Sequence, residues 1–115
     1  MCIRDRYLTL LEAQAHLAAR EYAAAKHCAE RAITAASLQQ NGRVHGAALR
    51  ALAESYIGLN ARSAAVEAIE AAIEKLERFG YPHALAAAYH IAAKLTGRPK
   101  YIHAAQALSN VLKLA

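Results

Sequence analysis

The chain has 115 residues, with a hydrophobic fraction of 57% and a charged fraction of 20%, enough to build one folded domain. These values exclude a disordered chain, because disorder combines low hydrophobicity with high net charge. The net charge is +5, but most basic residues alternate with acidic ones along predicted helices, which is typical of a solvated helix face. We therefore expect no nucleic-acid partner.

Apolar residues recur at spacings of three and four along six segments, and this spacing predicts amphipathic helices. The predicted helices cover about residues 7–19, 22–38, 44–59, 62–79, 83–95 and 101–114. Gly42 and Gly80 are predicted to end the second and fourth helices, since glycine takes the left-handed conformation at low cost. Tight turns are predicted at residues 20–21 and 60–61, and a longer turn at residues 96–100.

The helices repeat at an interval of 40 residues. Ala25, Ala65 and Ala105 are separated by this interval, and Ala32 and Ala72 keep the same spacing. A constant period of this size indicates stacked helical repeats. We therefore predict an all-α fold, namely an α-solenoid of three antiparallel helix pairs. The predicted pairs cover about residues 7–41, 44–80 and 83–114.

The second pair has an ordered series of large and small side chains. Its first helix has large, large, small and aromatic residues at Leu49, Leu52, Ala53 and Tyr56, and its second has small, large and small residues at Ala65, Ile69 and Ala72. This order resembles that of tetratricopeptide (TPR) repeats. The residues expected to pack the repeats are Leu49, Leu52, Ala53, Tyr56, Ala65, Ile69 and Ala72, with Ala25 and Ala32 in the first pair and Ala105 in the third. The first helix of the chain fits this pattern only with a one-residue shift. The resemblance implies a TPR-like superhelix, although the period exceeds the usual TPR length of about 34 residues.

The resemblance also implies a concave groove lined by the first helix of each pair. The residues expected to line it are Thr9, Ala13, His16, Arg50, Glu54, Ile57, His90 and Lys94. A mixed apolar and charged lining suits a peptide with one apolar anchor and one acidic group. Helices of this length are similar to the TPR arms of large bacterial regulators, such as LuxR-type transcription factors. We therefore expect a non-enzymatic protein–protein interaction scaffold, part of a cytoplasmic signalling or transcription regulator.

A second interpretation is a helical ligand-sensing or DNA-linked regulatory domain. Its signs would be a closed bundle with an apolar pocket and binding through C-terminal basic residues, which have no acidic neighbours in the sequence. These residues are Lys94, Arg98, Lys100 and Lys113. An elongated shape would favour the repeat scaffold, and a radius of gyration near about 13 Å would favour the closed bundle.

Reactive motifs are missing from the sequence, so we expect neither an enzyme nor a cofactor or metal. The six histidines do not form a zinc-protease motif, and no glycine-rich phosphate loop is present. Cys28 is expected to be a buried, inert thiol. The two cysteines form no CxxC motif, which favours a reducing cytoplasm. No apolar run reaches the length of a transmembrane helix, so we expect no membrane contact.

The two ends of the chain carry separate expectations. The first six residues, Met-Cys-Ile-Arg-Asp-Arg, resemble the translation of a sequencing adapter, a frequent artefact in metagenomic reading frames. We expect residues 1–6 to be non-native and residues 7–115 to be a TPR-like domain from a longer protein. The last helix is amphipathic and has no capping helix after it. Its apolar side is expected to be covered by other domains of the parent chain or by self-association.

Overall fold

The computed structural model describes residues 3–80 and 82–114, and the side chains of residues 8–80 and 82–113. Within these residues the chain forms six α-helices and no strand. They are α1 (Ile3–Ala18), α2 (Tyr22–Leu38), α3 (Gly42–Gly58), α4 (Arg62–Phe79), α5 (Pro82–Thr96) and α6 (Pro99–Leu114). The all-α prediction is confirmed. Cys2 lies outside the described residues.

The start of α3 differs from the prediction. Gly42 is the first residue of this helix and does not end α2, because Asn41 caps α3 by accepting a hydrogen bond from the Val44 backbone N–H at 3.1 Å. A Cβ atom at Gly42 would clash with the Phe79 ring. Glycine is therefore needed here for the close approach of α3 to the end of α4.

The first three turns share one geometry. Each contains a single residue with positive φ, namely Arg20 (61°), Gln40 (53°) and Asn60 (61°). The residue after it donates its backbone N–H to the carbonyl five positions earlier, over 2.8, 2.9 and 2.9 Å respectively. This is the Schellman pattern, which satisfies carbonyls at a helix end. The helix-turn unit thus recurs every 20 residues, and the 40-residue sequence period contains two such units.

The two later turns are different. Gly80 follows at the next 20-residue step but has φ −85°. Gly97 has φ 67° and donates its N–H to the Ala93 carbonyl at 2.8 Å. The longer turn predicted over residues 96–100 is wrong, because Thr96 still belongs to α5 and Pro99 already begins α6.

Each helix packs mainly against its neighbours in the chain, and α1 also contacts α3. The predicted packing residues are at most 2% exposed, except Leu49, Leu52 and Tyr56, which are half-buried. The most extensive contact joins α3 to α4. Alanine at Ala53, Ala65 and Ala72 brings little side-chain volume to the buried core, whereas Ile69 and Leu76 fill space in it.

The molecule measures 37 × 30 × 22 Å, with a radius of gyration of 13.6 Å. This radius is the value that the sequence analysis assigned to a closed bundle. However, a helix of 18 residues, such as α4, is about 27 Å long. Three such helices side by side in two layers, with axes about 8–10 Å apart, give similar extents. A short array of three helix pairs therefore has the same radius as a closed bundle.

Candidate binding clefts

A cleft between α1 and α3 has a volume of about 340 Å³. We call it the α1–α3 cleft, and its lining residues are Gln14, Leu17, Ala18, Arg50, Ala51 and Glu54. Arg50 and Glu54 lie one turn apart on α3, and Arg50 Nε is 3.6 Å from Glu54 Oε1. Their side chains retain 27% and 36% of their exposure. The cleft therefore combines apolar surface from both helices with one partly buried ion pair.

Burial dominates the electrostatics of this ion pair. It raises the pKa of Glu54, and the positive charge of Arg50 opposes that shift only in part. The carboxylate of Glu54 is thus poorly stabilised in its charged form. The contact uses Nε of Arg50, whereas a guanidinium binds a carboxylate best through two parallel N–H donors. The Arg50 guanidinium can therefore bind a carboxylate from a ligand with better geometry than it binds Glu54.

The structure corrects the predicted groove residues on α1. Ala13 has no exposure and belongs to a buried cluster with Cys28, Ala29 and Ala51. It is the counterpart of Ala53, which is also fully buried 40 residues later. The one-residue shift assumed for the first helix is therefore wrong.

With the unshifted register, Gln14 corresponds to Glu54 and Leu17 corresponds to Ile57. Gln14 and Leu17 line the cleft in place of the predicted residues. Thr9 is 9% exposed, and half-buried His16 donates a hydrogen bond from Nδ1 to Glu21 Oε1 at 3.1 Å. The constant interval of 40 residues could have identified Gln14 and Leu17.

Of the remaining predicted groove residues, Arg50 and Glu54 lie in the cleft and three others do not. Ile57 is 41% exposed on α3. His90 and Lys94 are exposed on α5, and His90 Nε2 lies 3.4 Å from Ser109 Oγ on α6. Among the described side chains, these three residues therefore do not line the α1–α3 cleft.

A second cleft of about 350 Å³ lies between α4, α5 and α6. We call it the α4–α6 cleft, and it is lined by Glu70, Ile73, Glu74, Glu77, Tyr89, Lys100, Tyr101 and Ala104. Tyr89 donates its hydroxyl to Glu77 Oε2, and Tyr101 donates to Glu70 Oε2, both at 2.7 Å. No sequence motif indicated this cleft, because its pairs join residues from separate helices.

Burial and these hydrogen bonds further stabilise the protonated form of both phenols. Burial, followed by the hydrogen bond to Glu77, raises the pKa of Tyr89 to about 12. The same causes raise the pKa of Tyr101, whose partner is Glu70. At neutral pH both tyrosines therefore act as hydrogen-bond donors to the carboxylates.

Two of the C-terminal basic residues lie close to glutamates in the structure, although they have no acidic neighbours in the sequence. Arg98 Nη1 lies 3.5 Å from Glu70 Oε2. Lys100 lines the α4–α6 cleft with three glutamates, and its Nζ is 4.8 Å from the centre of the Tyr101 ring. These pairings oppose the DNA-linked interpretation, because Arg98 and Lys100 do not form an isolated basic surface.

An apolar cavity of about 160 Å³ lies among α1, α3, α4 and the start of α5. It is lined by Leu10, Arg43, Val44, Ala47, Leu76, Gly80 and Ala84. Small-molecule sites usually measure about 300–1,000 Å³. This cavity is therefore small for the ligand pocket of the second interpretation.

The nucleophile and metal candidates have simple structural descriptions. Cys28 is buried, and burial, followed by the charge of Glu12, raises the pKa of its thiol. Such a thiol is protonated and a poor nucleophile at neutral pH. Among the side chains that the structure describes, no three histidine, cysteine, aspartate or glutamate residues are grouped as metal ligands.

None of the described helices has both the length and the apolar character that crossing a bilayer requires.

Comparison with protein-family models, curated proteins and solved structures finds no match to this chain.

Proposed function

We propose that this chain is a non-enzymatic, TPR-like repeat module that binds a protein or peptide partner. The observation that carries this proposal is the identical turn at Arg20, Gln40 and Asn60, which makes successive helices equivalent structural units. Arrays of such units generally act through their surfaces. The three-pair α-solenoid remains our preferred architecture.

Contacts between helix ends support antiparallel neighbours in this array. Arg43, near the start of α3, donates from Nε to the carbonyl of Phe79 at the end of α4, over 3.1 Å. Arg62, at the start of α4, donates to the carbonyl of Leu95 near the end of α5. Each arginine therefore joins the beginning of one helix to the end of the next, and a cation is favourable at that end.

We propose the α1–α3 cleft as the partner site, with an acidic peptide carrying one apolar side chain as its ligand. Leu17, Ala18 and Ala51 supply an apolar surface for the anchor. Arg50 supplies the cation, and a peptide carboxylate would compete with Glu54, whose burial raises its pKa. Displacing Glu54 toward water would relieve part of its desolvation.

The wider context that we favour is a larger bacterial cytoplasmic signalling or transcription regulator, with partners that include other domains of the same chain. This part rests on the resemblance of the long helices to regulator arms. The ligand-sensing and DNA-linked alternative is less favoured, because the apolar cavity is about 160 Å³ and Arg98 pairs with Glu70.

The test is fluorescence anisotropy with labelled synthetic peptides that share one leucine and differ in their number of aspartates. We expect affinity to rise with the aspartates and Arg50→Gln to weaken binding by about tenfold, the usual effect of losing a charge-assisted hydrogen bond. Arg31→Gln is the matched control, because Arg31 is exposed on α2 and outside the cleft. Equal losses in both variants, or no binding by the wild type, would refute this site.

A further inference from the structure

Three positions on the first helix of each pair follow the 40-residue register and differ in how far they are covered. On α3 they are Ala48, Ala51 and Ser55, which are at most 3% exposed. On α5 they are Ala88, Ile91 and Leu95, which are buried or half-buried. On α1 they are Leu8, Leu11 and Ala15, all exposed. Leu8 and Leu11 retain 51% and 60% of their exposure.

Ala48, Ala51 and Ala88 each lie in a buried cluster that includes the second helix of the preceding pair. Ala48 shares a buried cluster with Ala32 and Ala36 of α2, and Ala51 shares another with Cys28 and Ala29. The pattern recurs in the next pair. Ala88 clusters with Ile69, Ala72 and Leu76 of α4, and Ile91 and Leu95 pack against that cluster. The chain therefore forms the same helix seam twice.

The residues of α2 and α4 that cover these positions also have counterparts on α6. Its residues in the 40-residue register are Leu108, Ser109 and Leu112. All three are only half-buried, whereas their counterparts on α2 and α4 are buried. The opposite ends of the chain thus expose the two complementary halves of an interface that the chain itself forms internally. We define the α1 face as Leu8, Leu11 and Ala15, and the α6 face as Leu108, Ser109 and Leu112.

We propose that the α1 face of one copy packs against the α6 face of a second copy, continuing the seam seen between α2 and α3. The contact is heterologous, because two different surfaces meet, so association can continue beyond a dimer. A single helix seam buries less than the roughly 1,200 Å² of a typical stable interface, so association needs high protein concentration. The proposal does not involve the α1–α3 cleft, and it stands or falls separately from peptide binding.

The experiment is sedimentation equilibrium of the purified chain over a range from about 10 μM to about 1 mM, which spans weak interfaces. We expect the mean mass of the wild type to rise with concentration past that of a dimer. Leu11→Glu and Leu112→Glu should each remain monomeric, since each retains only one working face. Leu38→Glu is the control, because Leu38 is 76% exposed and outside both faces.

A mixture of the two variants makes the test specific. The intact α6 face of Leu11→Glu can pair with the intact α1 face of Leu112→Glu, so we expect a dimer and no larger species. A wild-type mass that does not change with concentration would overturn the proposal, as would association unaffected by Leu11→Glu. Leu112 is half-buried, so circular dichroism must first show whether Leu112→Glu folds. If it does not fold, the result with Leu11→Glu, at an exposed position, still tests the proposal.

Discussion

The first three turns and the last two turns reverse the chain by different means. Arg20 and Gln40 take the left-handed conformation, which costs a residue with a side chain about 1–2 kcal/mol. The hydrogen bonds of the Schellman pattern and the packing of the flanking helices offset that cost. Gly80 could take the same conformation cheaply but does not. Up to Asn60, therefore, the position within the 20-residue repeat determines the backbone conformation of the turn more than the residue type does.

The strongest way to test this difference is to overpack equivalent seams in both regions. Ala65 is fully buried on α4, between α3 and α5, whereas Ala105 is its counterpart on the terminal helix α6. We expect Ala65→Leu to lower the free energy of unfolding by about 1–3 kcal/mol. Ala105→Leu should cost less, because α6, among the described residues, packs mainly against α5. Thermal melts measure both, with Ala23→Leu at an exposed position as the control.

An unchanged melting temperature for Ala65→Leu would show that this residue is not at a helix contact. A larger loss for Ala105→Leu than for Ala65→Leu would reverse the order that we assign to the two regions.

Substitutions in the turns should change the free energy of unfolding by a smaller amount, with opposite sign in the two regions. Gln40→Gly should stabilise the fold by about 0.5–1 kcal/mol, because glycine relieves the positive φ. Gly97→Ala should destabilise it by about 1 kcal/mol for the same reason, although no atom would contact the new Cβ within 4 Å. Urea unfolding measures both changes. A neutral result for both variants would contradict the positive φ at these turns.

The α4–α6 cleft provides a further effect, which depends on pH. The folded pKa of Tyr89 is about 12, above the ordinary value of 10.0, so the folded state holds this proton more tightly. Its contribution to stability is complete below pH 10 and is lost as the pH rises toward 12. We expect Tyr89→Phe to flatten this alkaline decline in thermal melts. An identical decline in wild type and Tyr89→Phe would contradict the hydrogen bond to Glu77.

Long-period side-chain patterns were the most informative part of the sequence. The bounds of α2 and α4 match the prediction, because both helices have regular apolar spacing. The start of α3 was missed because a glycine after a helix resembles a C-terminal cap, whereas Gly42 accommodates the Phe79 ring. The predicted register of α1 was wrong because alanines at Ala13, Ala15 and Ala18 fit either alignment by size alone.

The candidate sites were harder to predict than the helices. Arg50 and Glu54 could be paired from the sequence, because they are neighbours one turn apart on one helix. The hydrogen bond from Tyr101 to Glu70 spans 31 residues and depends on how α6 packs against α4. A sequence period places equivalent residues at equivalent positions, but it does not reveal which different residues meet across a seam.

The central claim is that one helix-turn unit recurs every 20 residues up to residue 60 and then changes. Backbone NMR of the 115-residue chain tests it most directly, through scalar couplings and chemical shifts that report φ. The claim predicts positive φ at Arg20, Gln40, Asn60 and Gly97, and negative φ at Gly80. Negative φ at any of the first three, or positive φ at Gly80, would contradict it.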